Sequence, residues 1–175
     1  EMNHLGDAVD FLLKYAKDDQ KFEDINVRET LDRIFNKIYF DEFEKRGIKA
    51  SLEINRNLII NYNLKSFEDI FDNLISNSFK AVEKNTGTKL IKCSAIVENN
   101  KFIIMFSDNG YGISEDDKFR IFDVFYTTTS EQGGAGLGLF IVKSRLEALK
   151  GTIQVVENEF KPNGATFRIE LPFKQ

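Results

Sequence analysis

Residues 67–81 constrain the fold more than any other stretch, because the spacing of their side chains fits one regular structure. The letters FEDIFDNLISNSFKA repeat mostly apolar side chains at the three-and-four spacing of a helix that packs on a core. The core-facing positions are Phe67, Ile70, Phe71, Leu74, Ile75, Ser78 and Val82. We expect Ser66 to begin this helix, with Asp69 as its capping-box partner. The stretch therefore predicts a long, buried helix.

A second, polar stripe follows another face of the same helix. It consists of Asn73, Asn77, Lys80 and Lys84, which are spaced four, three and four residues apart. Asparagine is a poor helix former because its side chain competes for backbone hydrogen bonds, so two of them in mid-helix need a reason. The stripe is either a solvated surface or a face that offers amide oxygens to a metal ion and ammonium groups to phosphates.

The length, the composition and the net charge of the chain limit the size of the domain and the partners it can have. The chain has 175 residues and 42% of them are hydrophobic, which is enough for one domain with a real core. A net charge of -4 and the lack of a long basic run argue against nucleic acid as a partner. Cys93 is the single cysteine, so an internal disulfide is impossible and a reducing compartment is the simpler inference. We therefore expect a cytoplasmic domain, whether or not the parent protein is anchored in a membrane.

The remaining sequence predicts mostly strands linked by hairpins. Residues 3–19 predict a helix that either docks on the domain or forms the end of a dimerisation helix. The first half of the chain predicts a short strand or connector at 22–27, a helix at 28–46 stopped by Gly47, and a strand pair at 49–54 and 58–60. The second half predicts a hairpin at 90–97 and 102–106 turning at Asn99-Asn100, a short helix at 115–122, a helix at 137–149, and a hairpin at 152–157 and 165–171. These elements predict an α/β (α+β) fold, a two-layer sandwich of a mixed, mostly antiparallel sheet covered on one face by about three helices.

Two glycine segments supply candidate binding loops. Asp108 ends a strand and is followed by Gly110 and Gly112, so its carboxylate could accept a hydrogen bond from an exocyclic amine, although such turns are also common without function. Residues 133–139, GGAGLGL, open a helix whose backbone N–H groups and dipole suit an anion, unless the segment is only a hinge. Leu139 and Phe140 stand where a Walker loop has Lys and Ser/Thr, which excludes that motif.

In this order, the asparagine helix, the strand-end Asp-x-Gly-x-Gly and the glycine loop resemble the GHKL ATPase superfamily. Within it they are most similar to the catalytic, ATP-binding domain of sensor histidine kinases. The resemblance covers residues 23–173, with residues 67–81 similar to the N box, 108–113 and 134–139 to the two glycine boxes, and 121–129 to the F box. It implies a catalytic domain at residues 23–175. Residues 1–22 would be an N-terminal helix or linker, as a remnant of the dimerisation domain.

The resemblance also implies ATP and Mg²⁺ as cofactors. Asn77 would bind Mg²⁺, Asn73 would support the metal or its waters, and Lys80 would pair with phosphate, so these three are the expected catalytic residues. Asp108 would accept the adenine amino group with help from Thr166. Further nucleotide contacts are implied at Gly110, Gly112, Ile113, Phe125, Thr127, Thr128, Gly134, Gly136, Leu137, Gly138 and Leu139.

Two departures from the family pattern bear on the reaction. Hydrolysing relatives usually carry Glu at the position of Asn73, and an amide cannot take a proton at neutral pH, so Asn73 favours transfer to a protein acceptor. In related proteins, the segment that covers the nucleotide, here residues 126–136, often has a basic residue at the position of Thr129, so one expected phosphate contact is missing.

The expected function is transfer of the γ-phosphoryl group to a histidine on a separate dimerisation domain. The implied partners are that domain, a response regulator and a second copy of the parent protein. His4 does not match the acceptor motif. A GHKL ATPase of the chaperone, topoisomerase or mismatch-repair type and a degenerate nucleotide-binding module stay open as alternatives.

Overall fold

A computed structural model describes residues 21–127 and 136–173. The helix predicted at residues 3–19, with its two alternatives, lies outside the described residues. The strands are β1 Glu23–Asn26, β2 Ile48–Ile54, β3 Ile59–Tyr62, β4 Lys89–Glu98, β5 Lys101–Asp108, β6 Thr152–Val156 and β7 Ala165–Pro172. The α-helices are α1 Val27–Arg33, α2 Phe40–Arg46, α3 Leu64–Val82 and α4 Gly138–Ala148, with a π-helical turn at Ile34–Ile38 and a 3₁₀ turn at Arg120–Phe122. None of the helices in these two ranges has the length and apolarity to cross a membrane.

The main sheet has the strand order β2-β4-β5-β7-β6, and β1 and β3 form a separate antiparallel pair. Only the β2–β4 pairing is parallel among the described strands of the main sheet. The mixed, mostly antiparallel α+β sandwich is therefore confirmed, and the described residues contain four α-helices. Both predicted hairpins are also confirmed. Asn99 and Asn100 have φ angles of 51° and 58°, as the tight turn between β4 and β5 requires.

The strand pair predicted around residues 55–57 is wrong. β2 pairs in parallel with β4, beginning at Ile48 opposite Lys89, whereas β3 pairs with β1. The ends of β2, Ile48 and Ile54, are buried in the core that β4 helps to form. Which partner buries a strand best depends on distant residues, so the short connection between β2 and β3 did not decide the pairing.

The helix predicted at residues 28–46 is interrupted. A π-helical turn and Tyr39, at φ -103° and ψ 3°, separate α1 from α2. The interruption leaves Ile38 53% exposed. It also packs the Tyr39 ring edge-on against Phe79 of α3, at 5.8 Å between ring centres. Gly47 ends α2 in the left-handed conformation (φ 65°), as predicted.

Helix α3 begins earlier than predicted. The Asn63 side chain accepts a hydrogen bond from the Ser66 backbone N–H at 2.7 Å, so Asn63 is the N-cap and the Ser66–Asp69 capping box is wrong. Asp69 instead forms ion pairs with Lys65 and Arg145. Asparagine and serine are both good N-caps, so the choice depended on where the preceding strand ended.

The apolar stripe of α3 is buried throughout, which confirms the core predicted from its spacing. Phe71 packs edge-on against Phe106 of β5, and Phe122 does the same with Phe167 of β7. The opposite face of the sheet carries ion pairs such as that between Arg168 and Glu170. The predicted short helix at 115–122 is reduced to turns and the 3₁₀ turn. With its apolar stripe on the sheet, α3 turns its polar stripe towards the loop after β5 and the start of α4.

Candidate functional site

A cavity of about 700 Å³ lies between α3, the loop after β5 and the first turn of α4. Its volume is in the range of small-molecule sites. It is lined by Asn73, Ser76, Asn77, Lys80, Ala81, Asp108, Tyr111, Gly112, Ile113, Ser114, Asp117, Ile121, Tyr126, Thr127, Gly136, Leu137, Gly138, Leu139, Ile141, Ala165 and Phe167.

The structure brings most of the sequence-predicted site residues into this one cavity. Those that line it are Asn73, Asn77, Lys80, Asp108, Gly112, Ile113, Thr127, Gly136, Leu137, Gly138 and Leu139. Gly110, Phe125 and Thr166 do not line it. Thr128, Thr129 and Gly134 lie outside the described residues.

Asn73 and Asn77 face the first turn of α4. The Asn73 Nδ2 donates a hydrogen bond to the Asp69 carbonyl at 2.8 Å, which fixes the amide and turns its Oδ1 towards Gly138. A Cβ atom at Gly138 would lie 3.2 Å from the Asn73 Oδ1 and 3.5 Å from the Asn77 Oδ1. The lack of a side chain at Gly138 therefore lets the Asn73 amide oxygen approach the N-terminus of a helix closely, with both the oxygen and the nitrogen of the Asn77 amide beside it.

Asp108 is buried at the base of the cavity, with only 2% of its surface exposed. Ser78 Oγ donates to Oδ2 at 2.8 Å, and the Gly110 backbone N–H donates to Oδ1 at 2.9 Å. Burial raises the pKa of Asp108, whereas the hydrogen bonds from Ser78, Gly110 and the Ala165 backbone lower it. An ionised carboxylate has about four acceptor sites. Three donors therefore leave room for one further donor, such as an exocyclic amine.

Thr166 does not assist Asp108, so that prediction is wrong. Thr166 is paired with Ser107 across β5 and β7, and side chains alternate faces along a strand, so its side chain is on the opposite face from Asp108. Its hydroxyl donates to the Ser107 Oγ at 3.0 Å and accepts from the Glu159 backbone N–H at 3.1 Å. Ser78 takes the place beside Asp108. The sequence signal for this contact was the Ser78 hydroxyl on the buried stripe of α3, because a buried hydroxyl needs a hydrogen-bond partner.

The loop after β5 is held against α3 by its glycines. A Cβ atom at Gly110 would lie 2.5 Å from the Ala81 Cβ, and the next residue, Tyr111, donates its backbone N–H to the Ala81 carbonyl at 3.2 Å. Gly112 has φ +84°, which other residues rarely adopt. Gly110 does not line the cavity, but it allows the loop that lines the cavity to pack closely against α3.

A polar cluster that the sequence did not single out closes another side of the cavity. Tyr126 donates its hydroxyl hydrogen bond to Asp117, which also accepts from Ser114 Oγ at 2.6 Å. The Arg120 guanidinium lies 4.6 Å from the centre of the Tyr126 ring, a cation–π contact. These groups are spread over residues 114–126 with no recognisable spacing, so periodicity could not reveal them.

Phe125 and Gly136 lie on either side of the segment that the structure leaves undescribed. The Phe125 backbone N–H donates to the Gly136 carbonyl at 3.0 Å. Both residues have positive φ angles, 63° and 66°. A Cβ atom at Gly136 would overlap the Phe125 backbone, so this contact requires glycine. Phe122, by contrast, is buried in the core and packs edge-on against Phe167.

Residues 63–175 match the family model described as histidine kinase-, DNA gyrase B- and HSP90-like ATPase. The chain therefore belongs to this ATPase family, and membership implies that the domain binds ATP. Histidine kinase P4 of Formosa agariphila is 31% identical over 183 residues, which cover 97% of this chain and 13% of that protein. The chain spans 13% to 22% of the length of the curated relatives it matches.

Solved structures agree with the fold. The nucleotide-free catalytic domain of histidine kinase ThkA has a TM-score of 0.76 at 26% identity, covering 87% of this chain and 96% of that domain. Histidine kinase ThkA in complex with response regulator protein TrrA also has a TM-score of 0.76, at 24% identity, over 99% of this chain and 48% of that one.

Proposed function

We propose that this domain binds Mg-ATP and supplies the γ-phosphoryl group to a histidine on a separate dimerisation domain, as in two-component signalling. One observation carries the proposal. Asn73, Asn77, Lys80 and Asp108 converge with the N-terminus of α4 in one cavity. The carboxylate suits an adenine amino group at one end, and the amides, the ammonium group and the helix N-terminus suit phosphates and a metal ion at the other.

The residues present fit Mg²⁺ bound together with a nucleotide. In the part of the chain that the structure describes, no group of three or more His, Cys, Asp or Glu side chains could hold a metal ion. Mg²⁺ prefers oxygen ligands and usually keeps waters and substrate phosphates, so it needs few protein ligands. The Asn77 amide oxygen, with Asn73 beside it, meets that requirement. When bound, the ion would neutralise negative charge on the phosphates.

The first turn of α4 provides the phosphate end of the site. Its N-cap, Leu137, makes no side-chain hydrogen bond within the described residues. The first backbone N–H groups of a helix have no partner inside the helix, and its dipole favours an anion there. Lys80 adds a positive charge from α3 on the same cavity wall. Together these groups would hold and orient the phosphates.

Asn73 favours transfer over hydrolysis. Its Nδ2 donates one hydrogen to the Asp69 carbonyl at 2.8 Å, and its Oδ1 is turned towards the cavity at Gly138. An amide oxygen can accept a hydrogen bond from water but cannot take its proton at neutral pH. A protein acceptor that brings its own nucleophile does not need such a base.

The partners follow from this reaction. The kinase ThkA was solved with a response regulator, which supports a response regulator as a partner of the parent protein here. The phosphoacceptor histidine would belong to a dimerisation domain, with residues 1–22 as the linker to the catalytic domain at 23–175 and with two parent chains forming a homodimer. A cytoplasmic site of action is in keeping with the free, buried thiol of Cys93.

Calorimetric titration with ATP, with and without Mg²⁺, tests the binding step. Wild-type protein and Asn36→Ala, an exposed helical control, should bind Mg-ATP, whereas Asn77→Ala should lose Mg-dependent binding. Undiminished affinity in Asn77→Ala would overturn the metal assignment. Absence of nucleotide binding in the wild type would favour the degenerate module.

γ-Labelled ATP tests the fate of the phosphate. We expect bound nucleotide with negligible release of free phosphate, because no water-activating carboxylate stands at position 73. Steady phosphate release that is lost in Asn77→Ala would instead identify an ATPase of the chaperone or topoisomerase type.

A further inference from the structure

We propose that Asp69 and Arg145 are positioning residues, whose buried ion pair sets the register of α4 along α3 and thereby the spacing between Asn73 and the first turn of α4. Neither residue lines the cavity. Their effect on nucleotide rests on the proposed function, whereas their effect on α4 does not.

The ion pair between Asp69 and Arg145 is buried, and each oxygen of the Asp69 carboxylate has a cationic partner. Arg145 Nη2 lies 3.0 Å from Oδ2, and the two side chains are only 11% and 9% exposed. Lys65, one turn earlier on α3, lies 2.6 Å from Oδ1. Burying a charge is costly unless it is paired, so Asp69 and Arg145 stabilise each other at a buried point between the two helices.

Two contacts fix α4 against α3 at points about two turns apart. Asp69 meets Arg145 at one end, and Asn73 and Asn77 meet Gly138 at the other. At a rise of 1.5 Å per residue, residues 138 and 145 are about 10.5 Å apart and residues 69 and 77 about 12 Å apart. The two helices therefore run in opposite directions with matched spacings. A slide of α4 would break both contacts together.

Asp69 also holds the amide that faces the cavity. Its carboxylate binds Arg145, and its backbone carbonyl accepts the Asn73 Nδ2 hydrogen bond at 2.8 Å. One residue thus connects the far end of α4 with the orientation of Asn73. A shift of α4 would change the distance from Asn73 and Asn77 to the N–H groups at Gly138, and an error of about 1 Å in such positioning can cost roughly a hundredfold.

A purely structural ion pair would behave differently when both charges are removed. Replacing a buried pair with apolar residues of similar volume is often neutral or stabilising. Asp69→Leu with Arg145→Met should therefore fold, but its apolar contact does not specify one register. Arg145→Lys keeps the charge without the planar fork and should restore part of the positioning. The double variant thus separates stability from register.

The test compares Arg145→Met, Arg145→Lys and the double variant with wild type. Arg33→Met is the matched control, because Arg33 pairs with Glu68 of α3 from a more exposed position outside the cavity. We expect Mg-ATP affinity to fall roughly tenfold to a hundredfold in Arg145→Met and in the double variant, less in Arg145→Lys, and under threefold in the control.

Hydrogen–deuterium exchange without nucleotide provides the independent readout. Amides in the first two turns of α4 should exchange faster in Arg145→Met and in the double variant, while those of β4 and β5 stay protected. Wild-type exchange and affinity in the double variant, or faster exchange in all elements alike, would overturn the proposal. If the wild type binds no nucleotide, the proposed function fails, and exchange in α4 still decides whether the pair sets its register.

Discussion

Replacement of Ser78 by alanine should destabilise the protein more at neutral pH than at acid pH. Ser78 Oγ donates to the Asp108 carboxylate at 2.8 Å, and both side chains are buried. Burial raises the pKa of Asp108 above its ordinary value of 3.8, and the Ser78 hydrogen bond opposes that rise. The hydroxyl therefore stabilises the ionised form, and its loss matters most where Asp108 is charged.

The size of the effect follows from the charge on the acceptor. A hydrogen bond to a charged group contributes about 1.5–3 kcal/mol, against about 0.5–1.5 kcal/mol for a neutral pair. For a chain of this length, 1 kcal/mol moves the melting temperature by about 2–4 °C, so the neutral-pH loss corresponds to about 3–12 °C. At acid pH the protonated carboxyl leaves only the smaller, neutral contribution.

The direction of the pH dependence follows from the raised pKa of Asp108 in the folded state. Because the folded-state pKa of Asp108 is raised, its ionisation favours unfolding, and stability is lost as the pH rises from 3.8 through the folded-state value. Alanine at position 78 raises that pKa further. The difference in stability between variant and wild type should therefore grow as the pH rises.

Urea unfolding at pH 4 and pH 7, followed by far-UV circular dichroism because the chain has no tryptophan, measures this difference. Ser76→Ala is the control, since Ser76 is exposed on the same helix and corrects for the helix preference of alanine. Other acidic groups titrate equally in variant and wild type and cancel. A Ser78→Ala effect that is independent of pH, or no larger than that of Ser76→Ala, would refute the reasoning.

Three further predictions address the glycine loop, the buried thiol and the interrupted helix. Gly110→Ala should lower the free energy of unfolding by about 1–3 kcal/mol through overpacking, and it should weaken nucleotide binding. The control Gly87→Ala, with open space around it, should change the free energy of unfolding in urea by under about 0.5 kcal/mol. Equal effects of the two variants would contradict the packing argument. Because burial raises the pKa of the Cys93 thiol, Cys93 should resist a disulfide reagent at pH 8 until denaturant is added, and rapid labelling of the native protein would contradict that. Tyr39→Phe removes a hydrogen bond of 3.2 Å to the Asp72 carboxylate. Because this bond is long and only part-buried, its loss should cost about 0.5–1.5 kcal/mol in urea unfolding, less than that of Ser78, and an unchanged midpoint would show that this contact adds nothing to stability.

The sequence predicted those parts of the fold whose information is local. The apolar spacing of residues 67–82 is sufficient to predict a buried helix. The pair Asn99-Asn100 is sufficient to predict a tight turn, and both residues have the positive φ angles of such a turn. The parallel pairing of β2 with β4 was missed because it joins segments separated by α3. The π-helical turn before Tyr39 was missed because residues 34–39 contain no Gly or Pro to indicate an interruption, while the ring that Tyr39 contacts, Phe79, lies on another helix.

In the candidate site, too, the sequence predicted what depends on local spacing and missed what depends on distant residues. The spacing of Asn73, Asn77 and Lys80 on one helix could be read from the sequence, and the structure places all three in one cavity. Thr166 was placed beside Asp108 without knowledge of the register between β5 and β7, and a shift of one residue moves a side chain to the other face. The contact between Asp69 and Arg145 joins residues 76 positions apart, for which spacing along one helix carries no signal.

The orientation of Asn73 connects the fold with the choice of reaction. Its Nδ2 is tied to the Asp69 carbonyl, one turn back on α3, and its Oδ1 points towards Gly138. A glutamate at this position could not donate such a hydrogen bond and would leave a free carboxylate able to accept a proton. Asparagine thus gains a fixed orientation and loses the capacity for general-base catalysis. Under the proposed function, the amide at position 73 would therefore favour a bound nucleotide that waits for a protein acceptor over one that water attacks.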